Sequence, residues 1–319
     1  MIRRVLVALL ALFAWTGASA AEAVALPPYR VREGLQGSFK MKGSDSVDPL
    51  IRLWITEFEK LQPKVAIEVD SPGSNTAPPA LISAQAQLGH MSREMSAGEI
   101  GAFTAAKGHP PTRLVVAMDA LAVFVQAKNP LKRILLDQVD AIYSRTRRTG
   151  WDRPLERWGD LGLRGPWREL DIHLYGRDEN SGSRIFFMEH VLGKGGQFRK
   201  GYQTRDQFGV IEAVAKDPAG IGYGPLNYAN PEVRMLPVVA LGSAKEYLPT
   251  LDNILNGKYP LTRKPSIYVD KEPGKAFPEP QRAFLEFILS REGQRIVQDY
   301  GSVAITADLV EEQRRSLGE

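Results

Sequence analysis

The segment Tyr175-Gly176-Arg177-Asp178-Glu179-Asn180-Ser181-Gly182-Ser183-Arg184 gathers the residue types that can hold a small oxyanion. Arg177 supplies a planar fork of N–H donors, and the Ser181 and Ser183 hydroxyls supply two more. Gly182 between them lets the backbone itself come close. The preceding residues place Leu170, Ile172 and Leu174 on one face, the alternation of a strand. Ile185, Phe186, Met188, Glu189, Val191 and Leu192 then predict a helix. Ser181-Gly182-Ser183 therefore fall where a strand hands over to a helix N-terminus, whose free N–H groups favour negative charge. The same residues also suit a plain structural role, the capping of that helix by Ser181 or Ser183.

Two further stretches repeat the arrangement. A strand from Gly37 to Met41 leads through Lys42-Gly43-Ser44-Asp45-Ser46 into a helix carrying Val47, Leu50, Ile51, Trp54, Ile55, Phe58 and Leu61 on one face. Pro49 sits in its first turn, where a missing N–H costs nothing. A second strand, Val65 to Asp70, leads through Ser71-Pro72-Gly73-Ser74-Asn75-Thr76 into an apolar helix around Ala80 to Ala86. Three strand–turn–helix corners of one composition suggest several helix N-termini converging on one anion. Caps at Ser46 or Asp48 are the structural alternative.

The remaining elements must position these corners. Ser96 and Glu99 form a capping box for a helix from Ala97 to Lys107. The nearly continuous apolar run Leu114 to Gln126 reads as two buried strands, with Asp119-Ala120 as a crossing point between two halves. A helix from Ile134 to Tyr143 follows. Residues 145–169 read as a solvated surface loop, because Arg145, Arg147 and Arg148 are balanced by Asp152, Glu156 and Asp160. Further on we expect a helix over Phe208 to Val214, strands over Gly220 to Gly224, Val233 to Ala240 and Ser266 to Val269, and one long helix from Gln281 to Gln298. Residues 21–36 read as a mobile segment, and a charged tail closes the chain after Ile305.

The 319 residues are 43% hydrophobic and 24% charged, enough for two domains with real cores. Arg3 and Arg4, an apolar run from Val5 to Trp15 and Ala18-Ser19-Ala20 make a signal peptide over residues 1–20, with cleavage expected after Ala20. Those residues hold two Arg and no acid, so a formal charge of +4 becomes +4 − 2 = +2 in the mature chain. That balance offers no basic stripe for nucleic acid. With no cysteine there is no disulfide, no thiolate metal site and no lipid-bearing cysteine, which points to a periplasmic protein. No Gly-x-Ser-x-Gly, His-Glu-x-x-His or Walker pattern occurs, and His90, His109, His173 and His190 are scattered. Neither a cofactor nor a metal is expected, and catalysis is the minority reading.

Lys42-Gly43-Ser44-Asp45-Ser46, Gly73-Ser74, Met91-Ser92-Arg93-Glu94-Met95 and Arg177-x-Glu179-x-Ser181-Gly182-Ser183 resemble the phosphate receptors of phosphate ABC transporters, the PstS family. Tyr259-Pro260-Leu261-Thr262-Arg263 resembles that family's return crossover, and Ala215 to Tyr223 its second-lobe helix-to-strand passage. The resemblance runs in order over nearly all of the mature chain. It implies an α/β, type II periplasmic binding fold: two lobes, each a mixed sheet flanked by helices, with two interlobe crossovers. One lobe would comprise 37–119 plus 262–319 and the other 120–261. By position the resemblance implies phosphate contacts at Ser46, Val47, Ser74, Ser92, Arg177, Ser181, Gly182 and Ser183, with Glu179 as the acid that pairs with Arg177. Three departures stand out. Ser92 replaces an Asp that accepts the phosphate proton in many members, Asn75 replaces a glycine, and Ser183 replaces a Thr. Asp45 is the candidate proton acceptor if Ser92 does not serve. The expected partners are inorganic phosphate and an inner-membrane permease, with the receptor a monomer. Two rivals are a phosphate sensor or scavenger without a transport partner and a secreted phosphoester hydrolase using Ser181 or Ser46.

Overall fold

The computed structural model describes residues 26–318, so the predicted signal peptide lies outside the described residues. Strands β1 (Gly37–Gly43), β2 (Val65–Asp70), β3 (Leu88–Met91) and β4 (Thr112–Val115) form a five-stranded sheet with a strand from much later in the chain, β14 (Ser266–Val269). Its order is β2-β1-β3-β14-β4, with β14 antiparallel to both neighbours and β1 parallel to β2 and β3. Phe39 and Met41 of β1 point to one buried face, as the alternation requires.

The long apolar run does split. After Val116, Ala117 and Met118 the chain enters β5 (Asp119–Gln126), which belongs to a different sheet. The other members of that sheet are β7 (His173–Gly176), β8 (Tyr202–Thr204), β9 (Gly220–Pro225) and β10 (Val233–Met235). Their order is β10-β5-β9-β7-β8. Two residues, Thr262 and Arg263, form β13 and pair antiparallel with Ala120 and Asp119 of β5. The outgoing and returning crossovers thus lie side by side. A small third sheet joins β6 (Ile134–Leu135), β11 (Val238–Val239) and β12 (Glu246–Tyr247).

Several elements differ from the sequence reading. The expected helix over Gln281 to Gln298 is two helices, Glu279–Ile288 and Arg291–Asp299, broken at Leu289-Ser290. Ser290 caps the second by accepting from Gly293 N–H, and Gly293 packs where a Cβ would lie 2.1 Å from the Phe287 carbonyl oxygen. The strand expected over Val233 to Ala240 breaks at Leu236-Pro237, as a proline inside a sheet dictates. The charged tail is a helix, Ala307–Leu317, and its Gln313 accepts the Val115 N–H at 2.8 Å, so a side chain covers the open edge of β4. Residues 145–169 are anchored rather than solvated throughout. Leu155 and Trp158 are fully buried, and the Trp158 indole donates to the Ala219 carbonyl.

Residues 26–36 are docked as well. Leu26 is buried, and Tyr29 packs edge-on against Phe58 and Phe287. Arg32 pairs with Glu279 and Glu286. Beneath them Trp54, Phe58, Phe284 and Phe287 are buried together, each such ring worth roughly 1.5–3 kcal/mol of burial. The N-terminal segment and the C-terminal helices therefore close over the helix Asp48–Leu61 of the first half.

His90 on β3 is fully buried beside that helix. Its Nε2 faces the Ser71 hydroxyl at 2.9 Å, which in turn donates to Asp48. Burial, only partly offset by Asp48, lowers its pKa to about 4. The unfolded chain therefore binds a proton below pH 6.5 that the folded chain refuses until about pH 4, so stability is lost as pH falls through that window. The full difference is about 3 kcal/mol. Urea unfolding of the wild type and of His90→Asn between pH 7 and pH 4 should show a steeper acid loss in the wild type; equal slopes would refute the assignment.

Candidate functional site

At each of the three corners a glycine permits an approach too close for a Cβ, to backbone at Gly43 and Gly73 and to serine side chains at Gly182. Gly73, at φ 134°, donates its N–H to the Gly43 carbonyl at 2.8 Å, joining the first two corners. A Cβ there would meet the Asn180 carbonyl oxygen at 2.3 Å, so the second corner also abuts the third. A Cβ on Gly182 would lie 2.2 Å from Ser74 Oγ and 2.5 Å from Ser92 Oγ. Only glycine lets these corners meet.

The hydroxyls converge accordingly. Ser46 Oγ and Ser183 Oγ are 3.0 Å apart, Ser44 donates to Ser92 Oγ at 3.0 Å, and Ser92 N–H donates to Ser74 Oγ at 3.2 Å. Ser44, Ser46, Ser74, Ser92, Ser181 and Ser183 are all buried. Val47 sits next to Ser46, where a short 3-10 turn passes into the helix Asp48–Leu61. The capping alternative is resolved by the same geometry. Ser181 makes no side-chain cap bond, the Ser46 and Ser183 hydroxyls bond each other, the N-cap of the helix Asp48–Leu61 is Val47, and Asp48 is engaged by Arg52 and Ser71.

Arg177 leaves β7 at its C-terminal end with only 1% of its surface exposed. Its Nη2 pairs with Asp45 and its Nε donates to the Arg205 carbonyl at 3.1 Å, while Nη1 is buried without a partner. Ser181 Oγ is likewise buried and unpartnered. Buried donors without partners are costly unless something accepts from them. The Arg177 peptide is held on both sides. Tyr202 donates to its carbonyl at 2.7 Å, its N–H faces Tyr223 Oη at 3.4 Å, and the two phenols are 2.6 Å apart. Burial raises the pKa of Tyr202 to about 12 and raises that of Tyr223 well above its ordinary value, so both stay protonated at neutral pH.

The resemblance places Glu179 against Arg177, and the geometry corrects this. Glu179 is exposed, and the partner of Arg177 is Asp45, from the other sheet's first corner. The Asp178-to-Ser181 turn explains the difference. Asp178 accepts from the Asn180 and Ser181 N–H groups, and the Glu179 carbonyl is drawn toward the second corner by the Asn75 amide at 2.8 Å.

Sequence reasoning missed two groups here. Asn75 stands out in the sequence only as a departure, yet its oxygen accepts from Arg93, whose guanidinium is doubly bonded to Glu99. Arg263 and Asp119 form a buried pair, with Nε and Nη2 of Arg263 on Asp119 Oδ2 at 2.9 and 2.6 Å. The remaining Nη1 donates to Ser183 Oγ at 2.7 Å. A charge interrupting an apolar run, as Asp119 does, requires a partner of opposite sign, and that signal is present in the sequence. A cavity of about 370 Å³ opens beside Arg263, with Arg93, Phe186, His190 and Lys264 among its walls. Among the described residues no cluster of three His, Cys, Asp or Glu could hold a metal ion, and no histidine hydrogen-bonds Ser46, Ser74, Ser92, Ser181 or Ser183.

Residues 31–292 match the model of the PBP superfamily domain. The phosphate-binding protein PstS of Pseudomonas aeruginosa is 37% identical over 321 residues, covering 99% of each chain. That of Bacillus subtilis is 26% identical, covering 86% of this chain and 83% of its own. Among solved structures, a phosphate ABC transporter substrate-binding protein from Clostridium perfringens, described with bound phosphate, superposes with a TM-score of 0.70. It is 26% identical, and the match covers 85% of this chain and all of that one. An ABC-type phosphate transport receptor from Vibrio cholerae, 19% identical, gives a TM-score of 0.68 over 84% of this chain and all of its own, and shares the fold. With two mixed sheets joined by paired crossovers and these relatives along its length, the chain belongs to the PBP superfamily and, within it, to the PstS family of two-lobed binding proteins.

Proposed function

We propose that this protein captures inorganic phosphate between its lobes in the periplasm, after removal of a signal peptide over residues 1–20, and delivers it as a monomer to an ABC permease in the inner membrane. The names of its relatives support the ligand. The observation that carries it is the buried, uncapped donor set, above all the partnerless Arg177 Nη1 and Ser181 Oγ. A tetrahedral anion would accept from these and from Ser46, Val47, Ser74, Ser92, Gly182 and Ser183. Hydroxyl–hydroxyl bonds such as Ser46–Ser183 would be exchanged for stronger bonds to a charged acceptor. We assign 37–119 plus 262–319 to one lobe and 120–261 to the other, because the strands divide between the two large sheets near these limits, with β13 as the bridge.

A phosphate monoanion or dianion still carries hydrogen, unlike sulfate, so a site that selects it needs an acceptor. Ser92 Oγ already accepts from Ser44, and its neighbours are other hydroxyls. Asp45 is a carboxylate at the same corner, with Oδ2 on Arg177 and Oδ1 near the Ser46 hydroxyl. We assign the proton-accepting role to Asp45. Ser74, Ser92, Ser181 and Ser183 sit among hydroxyls, N–H groups and arginines, and the one carboxylate near Ser46, that of Asp45, is held by Arg177, which favours binding over hydrolysis.

Calorimetry on the mature protein should show phosphate binding and no sulfate binding; sulfate heat without phosphate heat would sink the reading. Asp45→Asn should narrow the preference for phosphate over sulfate, and an unchanged ratio would remove Asp45 from the proton-reading role. Arg177→Lys loses the planar fork and should weaken phosphate by about 100-fold, given the roughly 1.5–3 kcal/mol of a charged hydrogen bond. Gly182→Ala should weaken it at least as much, by holding the corners apart, and retention of wild-type affinity would show that they need not meet.

A further inference from the structure

The hydrogen-bond geometry around Ser183 carries more than the binding of an anion, because it has a direction. A guanidinium nitrogen donates and never accepts. Arg263 Nη1 lies 2.7 Å from Ser183 Oγ, so Ser183 is the acceptor in that bond. Its single hydrogen is then left to point elsewhere, and Ser46 Oγ at 3.0 Å is the neighbour that receives it. Ser46 in turn faces Asp45 Oδ1 at 3.4 Å, a carboxylate oxygen that only accepts. The order of donation is therefore Arg263 to Ser183 to Ser46 to Asp45. The Ser183 hydroxyl cannot turn a lone pair toward an incoming anion without breaking its bond to Arg263, whereas the long Ser46–Asp45 contact is readily exchanged.

We propose that Arg263 is a positioning residue for anion capture: held by Asp119, it occupies a lone pair of the Ser183 hydroxyl, so that the Ser183 hydrogen passes from Ser46 to the anion when one enters. This rests on the phosphate reading above. The hold on Arg263 is firm. Two of its nitrogens share Asp119 Oδ2, whose other oxygen accepts the Ala120 N–H at 2.7 Å. Arg263 and Asp119 are directly opposed across the β5–β13 ladder, and both are almost wholly buried. The pair is neutral in sum, so it brings direction to the hydroxyl without adding a second net charge beside Arg177. It also makes the crossover segments, rather than either lobe alone, the support of Ser183.

The test is a double-mutant cycle on phosphate affinity, with thermal unfolding confirming that each variant folds. One axis is Ser183→Ala, and the other is Arg263→Met combined with Asp119→Asn, which avoids stranding a buried carboxylate. Ser183→Ala should weaken phosphate about 10-fold in the wild type and about 2-fold or less in the replaced background, the coupling expected of groups in one network. Equal losses in both backgrounds would overturn the proposal, since a merely structural role adds without coupling. Should the replaced background fail to fold, the same cycle on Arg263→Gln decides by the same criterion. If the wild type binds no phosphate, the proposed function fails separately. The hydroxyl order is then judged on the unliganded protein, where additive shifts in unfolding temperature would overturn it and coupled shifts would uphold it.

Discussion

A guanidinium with 1% of its surface exposed must be met by charge or hydrogen bonds, and the placement of Arg177 sets terms for everything around it. Its carboxylate comes from Asp45 on the first corner, its backbone is pinned by Tyr202 and Tyr223, and its Nε rests on the Arg205 carbonyl. Each of these partners is distant in sequence and arrives only through the fold. Beneath them an aromatic cluster keeps the platform stiff. Phe187 stacks on Tyr223 at 3.9 Å, and Tyr143 donates to the Tyr175 and Ile221 carbonyls on adjacent strands. The chemistry of the site thus depends on the packing of the second sheet as much as on the corner residues.

The parts of the fold governed by local pattern were legible in the sequence. The strand Val65–Asp70, the strand Ser266–Val269 and the helix Ala97–Lys107 with its Ser96–Glu99 box stand where alternation and capping put them. What was not legible depends on distant partners. The break at Ser290 follows from Gly293 packing on the preceding helix end, and the docking of residues 26–36 from aromatic contacts with Phe58 and Phe287. Helical periodicity continues through the break at Ser290. The composition of residues 26–36, rich in charge and proline, is that of a loose end until its aromatic partners are known.

The site divides in the same way. Ser46, Ser74, Arg177, Gly182 and Ser183 could be selected because glycine, hydroxyls and a guanidinium recur at strand-to-helix corners, whereas Ser92 entered only through the family resemblance, and the structure brings Ser92 to Ser44 and Ser74. Which acid serves Arg177 could not be selected so, since Glu179 and Asp45 are equally near a corner in sequence. Only the Asp178 turn, which directs the Glu179 side chain outward, decides between them. Arg263 is visible in the sequence only as part of the return crossover, because its place at the site depends on the residue opposite it on β5.

The position of β14 within the first sheet has a kinetic consequence. It lies between β3 and β4, yet the whole of the second sheet intervenes in the chain before it, whereas β5, β7, β8, β9 and β10 of that second sheet lie within one continuous stretch. Pairings at long sequence separation form late, because their loops must close before the contacts reward them. During synthesis the second sheet can assemble while the first still lacks its inner strand. The nascent chain therefore carries an incomplete half, with β3 and β4 edges unpaired, until residues 266–269 arrive, and for that interval it remains open to unfolding and to chaperones.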